Sequence, residues 1–498
     1  MNIYSVFQSR FPADRGAPAI ESADGHPITY ADLERESARL AAWLASLGVK
    51  AGDRVAVQVD KSAQVMFLYL ACLRAGFVYL PLNTAYTDNE LAYFLKDARP
   101  AVFVCRPAAI DGATQLAQSH QVPHVFSLGT RADGTLLQAA AKTTPSFEAV
   151  ESDEEDTAVI LYTSGTTGRP KGAMITHKNL RANGLALHAA WQWQPGDVLL
   201  HALPVFHIHG LFVACHCALL NGSKMIFLDK FEVSNVIRML PKASVFMGVP
   251  TYYVRLLASQ DFTREACSTM RLFTCGSAPL LEQTFEDFRA RTGHTIVERY
   301  GMTETGMNTS NPVEGPCRAG TVGRPLPGVS VRIVDEQLKN VPTGEIGQLV
   351  VKGDNVFKGY WGMPDKTAEE FTVDGFFRTG DLARLDADGY VAIVGRGKDL
   401  IITGGLNVYP AEVENMIYTF PGVQETIVFA VADPKRGQVL GAAVVPRPGS
   451  RLVEKDLLTF LRGNLANFKV PDRIVVRESL PRTSSGKAIR DAATLLGS

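Results

Sequence analysis

The sequence predicts an α/β protein: a large amino-terminal domain with mostly parallel sheets covered by helices plus a β-rich subdomain, then a small α+β carboxyl-terminal domain. Three observations predict it. Short β-rich runs at 54–59, 101–105, 157–161, 225–228, 244–249 and 272–275 alternate with helical stretches, the pattern of parallel strands joined by crossover helices. Between 322 and 351 the texture turns to Gly, Pro and β-branched residues, which marks the β-rich subdomain. At Gly395-Arg-Gly-Lys-Asp399 two cations are flanked by glycines directly after a strand-like run at 390–394, so a hinge is expected there.

Taken in order, the elements fit that frame. The apolar stretch 65–82 is interrupted by Arg74, Gly76 and Pro81, and reads as a buried helix turning into a strand rather than a membrane span. The run 157–161 reads as a buried strand that delivers a loop to its carboxyl end, where open α/β sheets place ligands. After the hinge, helices at 410–418 and 454–468 and strands at 426–432, 441–445 and 473–476 make a compact unit of roughly 100 residues. The expected domains are 1–397 and 398–498.

Composition narrows the function. A hydrophobic content of 46% with 20% charged residues describes an ordinary globular chain with ample core. Fifty Lys plus Arg balance 51 Asp plus Glu, so bulk electrostatic binding to nucleic acid or to an anionic membrane is not expected, and any anion site must be local. Neither terminus carries a signal core or a targeting tripeptide, and a cytoplasmic location is expected. The seven cysteines are odd in number and unframed, which fits reduced thiols. Cys215, His216 and Cys217, just after His207 and His209, resemble a metal cluster on paper, but residues two apart on a helix diverge by roughly 200°, and a packed core is expected instead.

The loop in Leu161-Tyr-Thr-Ser-Gly-Thr-Thr-Gly-Arg-Pro-Lys-Gly172 crowds glycines, hydroxyls and two cations together, a composition suited to holding a polyphosphate through backbone N–H groups. It is not the common phosphate-binding loop of nucleotide hydrolases, because Gly172 stands where Ser or Thr would follow the lysine. Four further segments join it: Glu298-Arg-Tyr-Gly-Met-Thr-Glu-Thr305; Tyr360 and Trp361 with Phe377-Arg-Thr-Gly-Asp381; Gly395 to Asp399 with Gly404 and Gly405; and Pro481-Arg-Thr-Ser-Ser-Gly-Lys487.

Together, in this order and over the whole chain, these segments resemble the adenylate-forming superfamily of acyl-CoA synthetases, luciferase-like enzymes and peptide-synthetase adenylation domains. The resemblance implies a two-step reaction with ATP, Mg²⁺ and coenzyme A, in which an acid attacks the α-phosphate to give acyl-AMP and pyrophosphate, and the thiol of coenzyme A then displaces AMP. It implies that Thr163, Ser164, Gly165, Thr166, Thr167, Gly168 and Lys171 grip the β- and γ-phosphates, and that Glu304 holds Mg²⁺ with Thr163 beside it. Tyr300 is implied to lie against the adenine, Asp381 to take the ribose hydroxyls and Arg396 to stand near the ribose or phosphate. Ser277, Ala278, Glu298, Arg299, Gly301, Met302 and Thr303 complete the implied nucleotide site. Lys487 is implied as a mobile catalytic cation of the first step, Lys398 as the hinge, and Gly404 and Gly405 as the lining of the pantetheine tunnel in the second.

For the acid, His201–Gly210, Met247–Arg255, Gly276–Ala278 and Met302–Asn308 are the expected pocket. Arg255 stands in an apolar stretch, where a guanidinium is costly to bury unless a carboxylate meets it. The alternative is an arginine that snorkels to the surface. His-x-His-Gly-Leu, Gly-Val-Pro-Thr-x-Tyr-x-Arg, Met302-Thr-Glu-Thr-Gly-Met-Asn-Thr-Ser310 and Asn83-Thr-Ala-Tyr-Thr87 are similar to malonyl-CoA synthetases. That likeness implies Arg255 on the distal carboxylate of malonate with Ser277 nearby, His207 as a pocket and thioester-channel gate, and Ile208 and Met307 against the C2 substituent. Malonate is expected over methylmalonate. A ligase for another small acid, such as methylmalonate, oxalate or a short monocarboxylate, stays open, as does a noncatalytic nucleotide sensor. The Lys487 segment also resembles sites modified by lysine acetyltransferases, a partner expected to silence the first step.

Overall fold

A computed structural model describes residues 1–21, 27–163, 170–403, 406–450, 452–482 and 488–497. Among them four sheets form. A nine-stranded sheet runs in the order Arg324–Pro325, Gly306–Ser310, Ile296–Met302, Leu272–Cys275, Val245–Gly248, Val198–His201, Lys224–Phe227, Pro18–Glu21 and Pro27–Thr29. Its centre is parallel, as the alternating pattern predicts, and antiparallel pairs close both edges. A seven-stranded sheet runs Gly359–Tyr360, Lys171–Thr176, Thr157–Thr163, Val78–Pro81, Arg54–Gln58, Val102–Cys105 and His124–Ser127.

The helix Ala63–Ala75 shows why the two sheets belong to one domain. Almost every one of its residues is buried, so it is apolar all round, and one core cluster joins it to Val55 and Val57 of the second sheet and to Leu199 and Val245 of the first. Gly76 ends the helix, and the strand Val78–Pro81 follows, the helix-to-strand passage that the interrupted apolar run predicts. Lys61, just before that helix, ties the sheets by a polar route. Its Nζ donates 2.7 Å bonds to the carbonyls of His201 and Leu228 at the ends of two strands of the larger sheet. Burial pushes this amine down to about 7.

The β-rich subdomain is an antiparallel sheet in the order Val329–Val334, Gly347–Gly353, Phe377–Leu385 and Val391–Arg396. The strand Val391–Arg396 runs straight into the turn Gly397–Asp399. The small carboxyl-terminal domain then pairs Leu406–Val408, Ile401–Thr403, Gly437–Pro446 and Val423–Asp433, with Arg473–Val476 beside Gly437–Pro446. The helices Pro410–Tyr418 and Glu454–Asn464 cover its core; the second ends earlier than the apolar pattern suggests, and a separate turn Asn467–Lys469 follows.

Cys215, His216 and Cys217 are buried, and no group of three or more His, Cys, Asp or Glu among the described residues could hold a metal ion. No helix among them is long and apolar enough to cross a membrane. Ser164, Gly165, Thr166, Thr167, Gly168, Gly404, Gly405 and Lys487 lie outside the described residues.

Candidate active site

The Gly-rich loop joins two antiparallel strands, not a strand and a helix. Thr157–Thr163 and Lys171–Thr176 pair in register, with Thr163 directly opposite Lys171, so both ends of the loop are fixed at one point. Lys171 is buried with its ammonium 4.1 Å over the ring of Tyr360 and 3.4 Å from Glu370 Oε1. Thr163 Oγ1 donates to Glu304 Oε1 at 3.4 Å, and the Tyr360 hydroxyl donates to the same oxygen at 3.1 Å.

Glu304 is 6% exposed, and burial raises its carboxyl above the usual range while its own backbone amide, Tyr360, Lys171 and Arg396 pull it back. A buried carboxylate with a hydroxyl beside it is a donor set of hard oxygens, which fits a small divalent cation completing its shell from phosphate and water.

A second cluster faces the first. Asp381 and Arg396 sit opposite each other on neighbouring strands, and Arg396 Nε meets Asp381 Oδ1 at 2.7 Å. The Tyr300 hydroxyl donates to Asp381 Oδ2, and Arg396 Nη1 donates to the Thr379 carbonyl at 3.1 Å. Burial and the Asp381 charge hold the Tyr300 phenol well above its ordinary value, so it stays a donor. The structure therefore brings together Thr163, Lys171, Glu304, Tyr300, Asp381 and Arg396, drawn from three different sheets.

The strand Ile296–Met302 sends alternate side chains to opposite faces, which separates Glu298 from Arg299. Glu298 accepts from the Leu280 amide at 3.1 Å and is pushed up to about 8 by burial, so at neutral pH it is a protonated brace for the 276–280 turn. Arg299 is 2% exposed, and burial brings it down only to about 10, so it is charged. Its Nε and Nη2 have no hydrogen-bond partner, and it makes no ion pair with a described residue. Gly276 permits this arrangement: a Cβ there would stand 2.5 Å from the Arg299 Cζ.

Around that guanidinium lie Ser277 and His209. Ser277 Oγ and His209 Nδ1 are 3.3 Å apart, and Ser277 adopts φ +73°, a left-handed backbone uncommon for serine. Burial, reinforced by the Arg299 charge, keeps His209 neutral, well below its usual value. His209 opens the π-helix His209–Cys215, a rare geometry that clusters at functional sites, and Ile208 precedes it. His207 is half-buried with its ring 4.6 Å from that of Phe206.

Met307 is buried on the strand Gly306–Ser310, and Asn183 grips its backbone, accepting from the amide at 3.1 Å and donating to the carbonyl at 2.8 Å. Gly301 packs so closely on that strand that a Cβ would lie 2.1 Å from the Gly306 oxygen. Met302 and Thr303 are half-buried in the same turn, Ala278 is exposed beside Ser277, and Lys398 is exposed in the turn after Arg396.

Arg255 follows the second of its two sequence readings: it is exposed on the helix Pro250–Leu257 with its guanidinium 4.9 Å over the Phe231 ring, so it is not a buried charge in the free chain. The apolar neighbours that suggested burial, Tyr253 and Leu256, occupy the other face of that amphipathic helix. Arg299, which the likeness places with the nucleotide, is a buried cation beside the 276–280 turn. Tyr360, Glu370, His209 and Asn183 were not singled out for any role, although His209 stood in the quoted His-x-His-Gly pattern.

A model of the AMP-binding enzymes matches residues 7–361, and one of the AMP-binding enzyme carboxyl-terminal domain matches 412–487. A feruloyl-CoA synthase of Amycolatopsis sp is 37% identical, covering 94% of this chain and 93% of its own. A mitochondrial malonate–CoA ligase of Mus musculus is 36% identical over 92% of this chain and 85% of its own. The crystal structure of ATP-bound MatB from Rhodopseudomonas palustris is 48% identical and superposes over 99% of both chains with a TM-score of 0.96. With its family matches spanning both the large domain and the small one, the chain belongs to the AMP-binding enzymes.

Proposed function

We propose that this chain joins malonate to coenzyme A through malonyl-AMP. The chain is an AMP-forming acyl-CoA ligase that uses ATP and coenzyme A, and the open question is the acid. The carrying observation is Arg299: a charged, buried guanidinium that makes no direct ion pair with a described residue, near Ser277 and His209, with the Glu298 carboxyl acting on it from farther off. Such a charge is costly unless an anion meets it in the working complex, and a planar fork suits a carboxylate. A monocarboxylic acid spends its only charge at the reacting end, whereas malonate brings a second. The similarity to malonate–CoA ligases supports the same reading.

In this reading Arg299 joins Arg255 and Ser277 in taking the distal carboxylate. Ile208 and Met307 limit the C2 substituent, and His207 gates the thiol's approach. Thr163, Ser164, Gly165, Thr166, Thr167, Gly168 and Lys171 hold the triphosphate. Glu304 with Thr163 would hold Mg²⁺, which neutralises phosphate charge when bound. Tyr300 backs the adenine, and Asp381, paired with Arg396, accepts from the ribose. Lys487 neutralises charge between the attacking carboxylate and the α-phosphate. The small domain then turns about Lys398 to bring Gly404 and Gly405 to the thiol. Acetylation of Lys487 would remove the charge the first step needs.

The deciding experiment offers malonate, methylmalonate, oxalate, acetate and ferulate with ATP, Mg²⁺ and coenzyme A, and identifies the thioester by mass. Malonyl-CoA as the main product is expected. Feruloyl-CoA or acetyl-CoA as the main product would overturn the malonate reading, and no AMP with any acid would favour a nucleotide sensor.

A further inference from the structure

The sequence pattern at Asn83–Thr87 introduces a helix, Asp88–Ala98, that the proposed chemistry leaves without a task. This helix reaches both stems of the Gly-rich loop. From it the Tyr93 hydroxyl donates to the Pro170 carbonyl at 2.8 Å, just past the loop, and Asp97 Oδ2 accepts from the Tyr162 hydroxyl at 2.5 Å, just before it. The Tyr162 ring also packs 4.6 Å from that of Phe94.

The helix is itself anchored. A Thr87–Glu90 capping box fixes its start, and Arg54 donates to the carbonyls of Ala98 and Arg99 at its end, at 2.7 and 2.8 Å. The same guanidinium lies 5.2 Å over Trp361, whose amide donates to the Gly172 carbonyl at 2.7 Å and whose indole donates to the Asp97 carbonyl at 3.3 Å. Two strand ends, one helix and one indole thus form a closed frame around the loop's base.

We propose that Tyr93 and Asp97 are positioning residues for the triphosphate: they hold the loop's stems at the spacing a nucleotide requires, so less conformational entropy is lost on binding. The inference rests on the reading that this loop holds ATP phosphates. The hydrogen bonds of Tyr93 and Asp97 run to the loop's two stems, so their effect is expected on the nucleotide. Tyr162, its phenol pushed far up by burial and by Asp97, remains the donor throughout the physiological range.

The test uses the full-length enzyme and the variants Tyr93→Phe, Tyr162→Phe and their double, with Asp97→Ala and Asp97→Asn. Each single loss of a hydrogen bond is expected to raise the KM for ATP by about three- to tenfold. The kcat at saturating ATP and the KM for malonate should stay within about twofold, the sign of lost uniform binding. Asp97→Asn, which keeps an acceptor, should recover part of what Asp97→Ala loses. An unchanged KM for ATP would overturn the brace, and so would a parallel rise in both KM values with a fall in melting temperature, which is the mark of general destabilisation. Failure of the wild-type enzyme to release AMP from ATP with any acid would instead sink the functional reading on which the brace depends.

Discussion

Arg299 packs on Gly276 at a distance that leaves no room for a side chain, and Glu298, its neighbour in sequence, points the opposite way and carries a proton at neutral pH. The guanidinium therefore keeps its full charge in a buried place. Replacing it by leucine should cost malonate about two orders of magnitude in kcat/KM, from charge-assisted hydrogen bonds worth about 3 kcal/mol, while ATP binding persists. Arg299→Lys should not restore the loss, since an ammonium lacks the fork. Arg255→Ala should likewise remove malonate activity while ATP binding persists, because the lost contact is to the distal charge. Pyrophosphate release measured with malonate and with acetate reads both variants.

Glu298 makes stability depend on pH in a stated direction. Its carboxyl is raised to about 8 in the folded chain, so above the ordinary carboxylate range and up to that value the folded form holds a proton that the unfolded form has lost. Stability must fall as pH rises through this window. Glu298→Gln, which retains an acceptor for the Leu280 amide, should flatten that dependence. Denaturant midpoints at pH 5 and pH 8 would show the variant gaining on the wild type as pH rises between them.

At Glu304 two hydroxyls converge on one oxygen. Glu304→Gln should lower acyl-AMP formation by more than about a hundredfold, because the proposed Mg²⁺ site loses its carboxylate charge. Tyr360→Phe keeps the ring beneath Lys171 and deletes one donor, so a milder loss of about three- to tenfold is expected. Isotope exchange between pyrophosphate and ATP reads this step alone.

Lys61 supports two strand ends that no other described side chain joins in this way. Lys61→Met should leave the carbonyls of His201 and Leu228 without that donor and destabilise the fold by about 2–4 kcal/mol. A melting curve would record it as a drop of several degrees.

A hinge at Gly397–Asp399, as proposed, would separate the half-reactions. Lys398→Pro, by fixing φ near roughly −65°, should spare adenylation and collapse thioester formation. Lys487→Ala should do the reverse when acyl-AMP is supplied. Separate assays of the two steps decide both.

Much of the frame was legible in the sequence because strand length and apolar runs are local properties. Helix Ala63–Ala75 and the strand after it follow from one interrupted apolar stretch. The antiparallel hairpin around the Gly-rich loop did not follow, since none of the apolar runs read as strands covers Lys171–Thr176, and pairing across the loop is a tertiary contact. Arg255 misled because apolar neighbours on a helix can all lie on its far side. Lys61 and Asn183 were invisible for another reason: their partners stand 140 and 124 residues away, and no pattern in a window reports a contact at that range.

The left-handed backbone at Ser277 places conformational tension in the wall of the proposed acid pocket. A glycine would sit there with less strain and would remove the hydroxyl that meets His209. Breeding this protein for heat tolerance would thus favour that exchange and blunt its choice of acid, so ruggedness and selectivity are opposed at a single peptide unit.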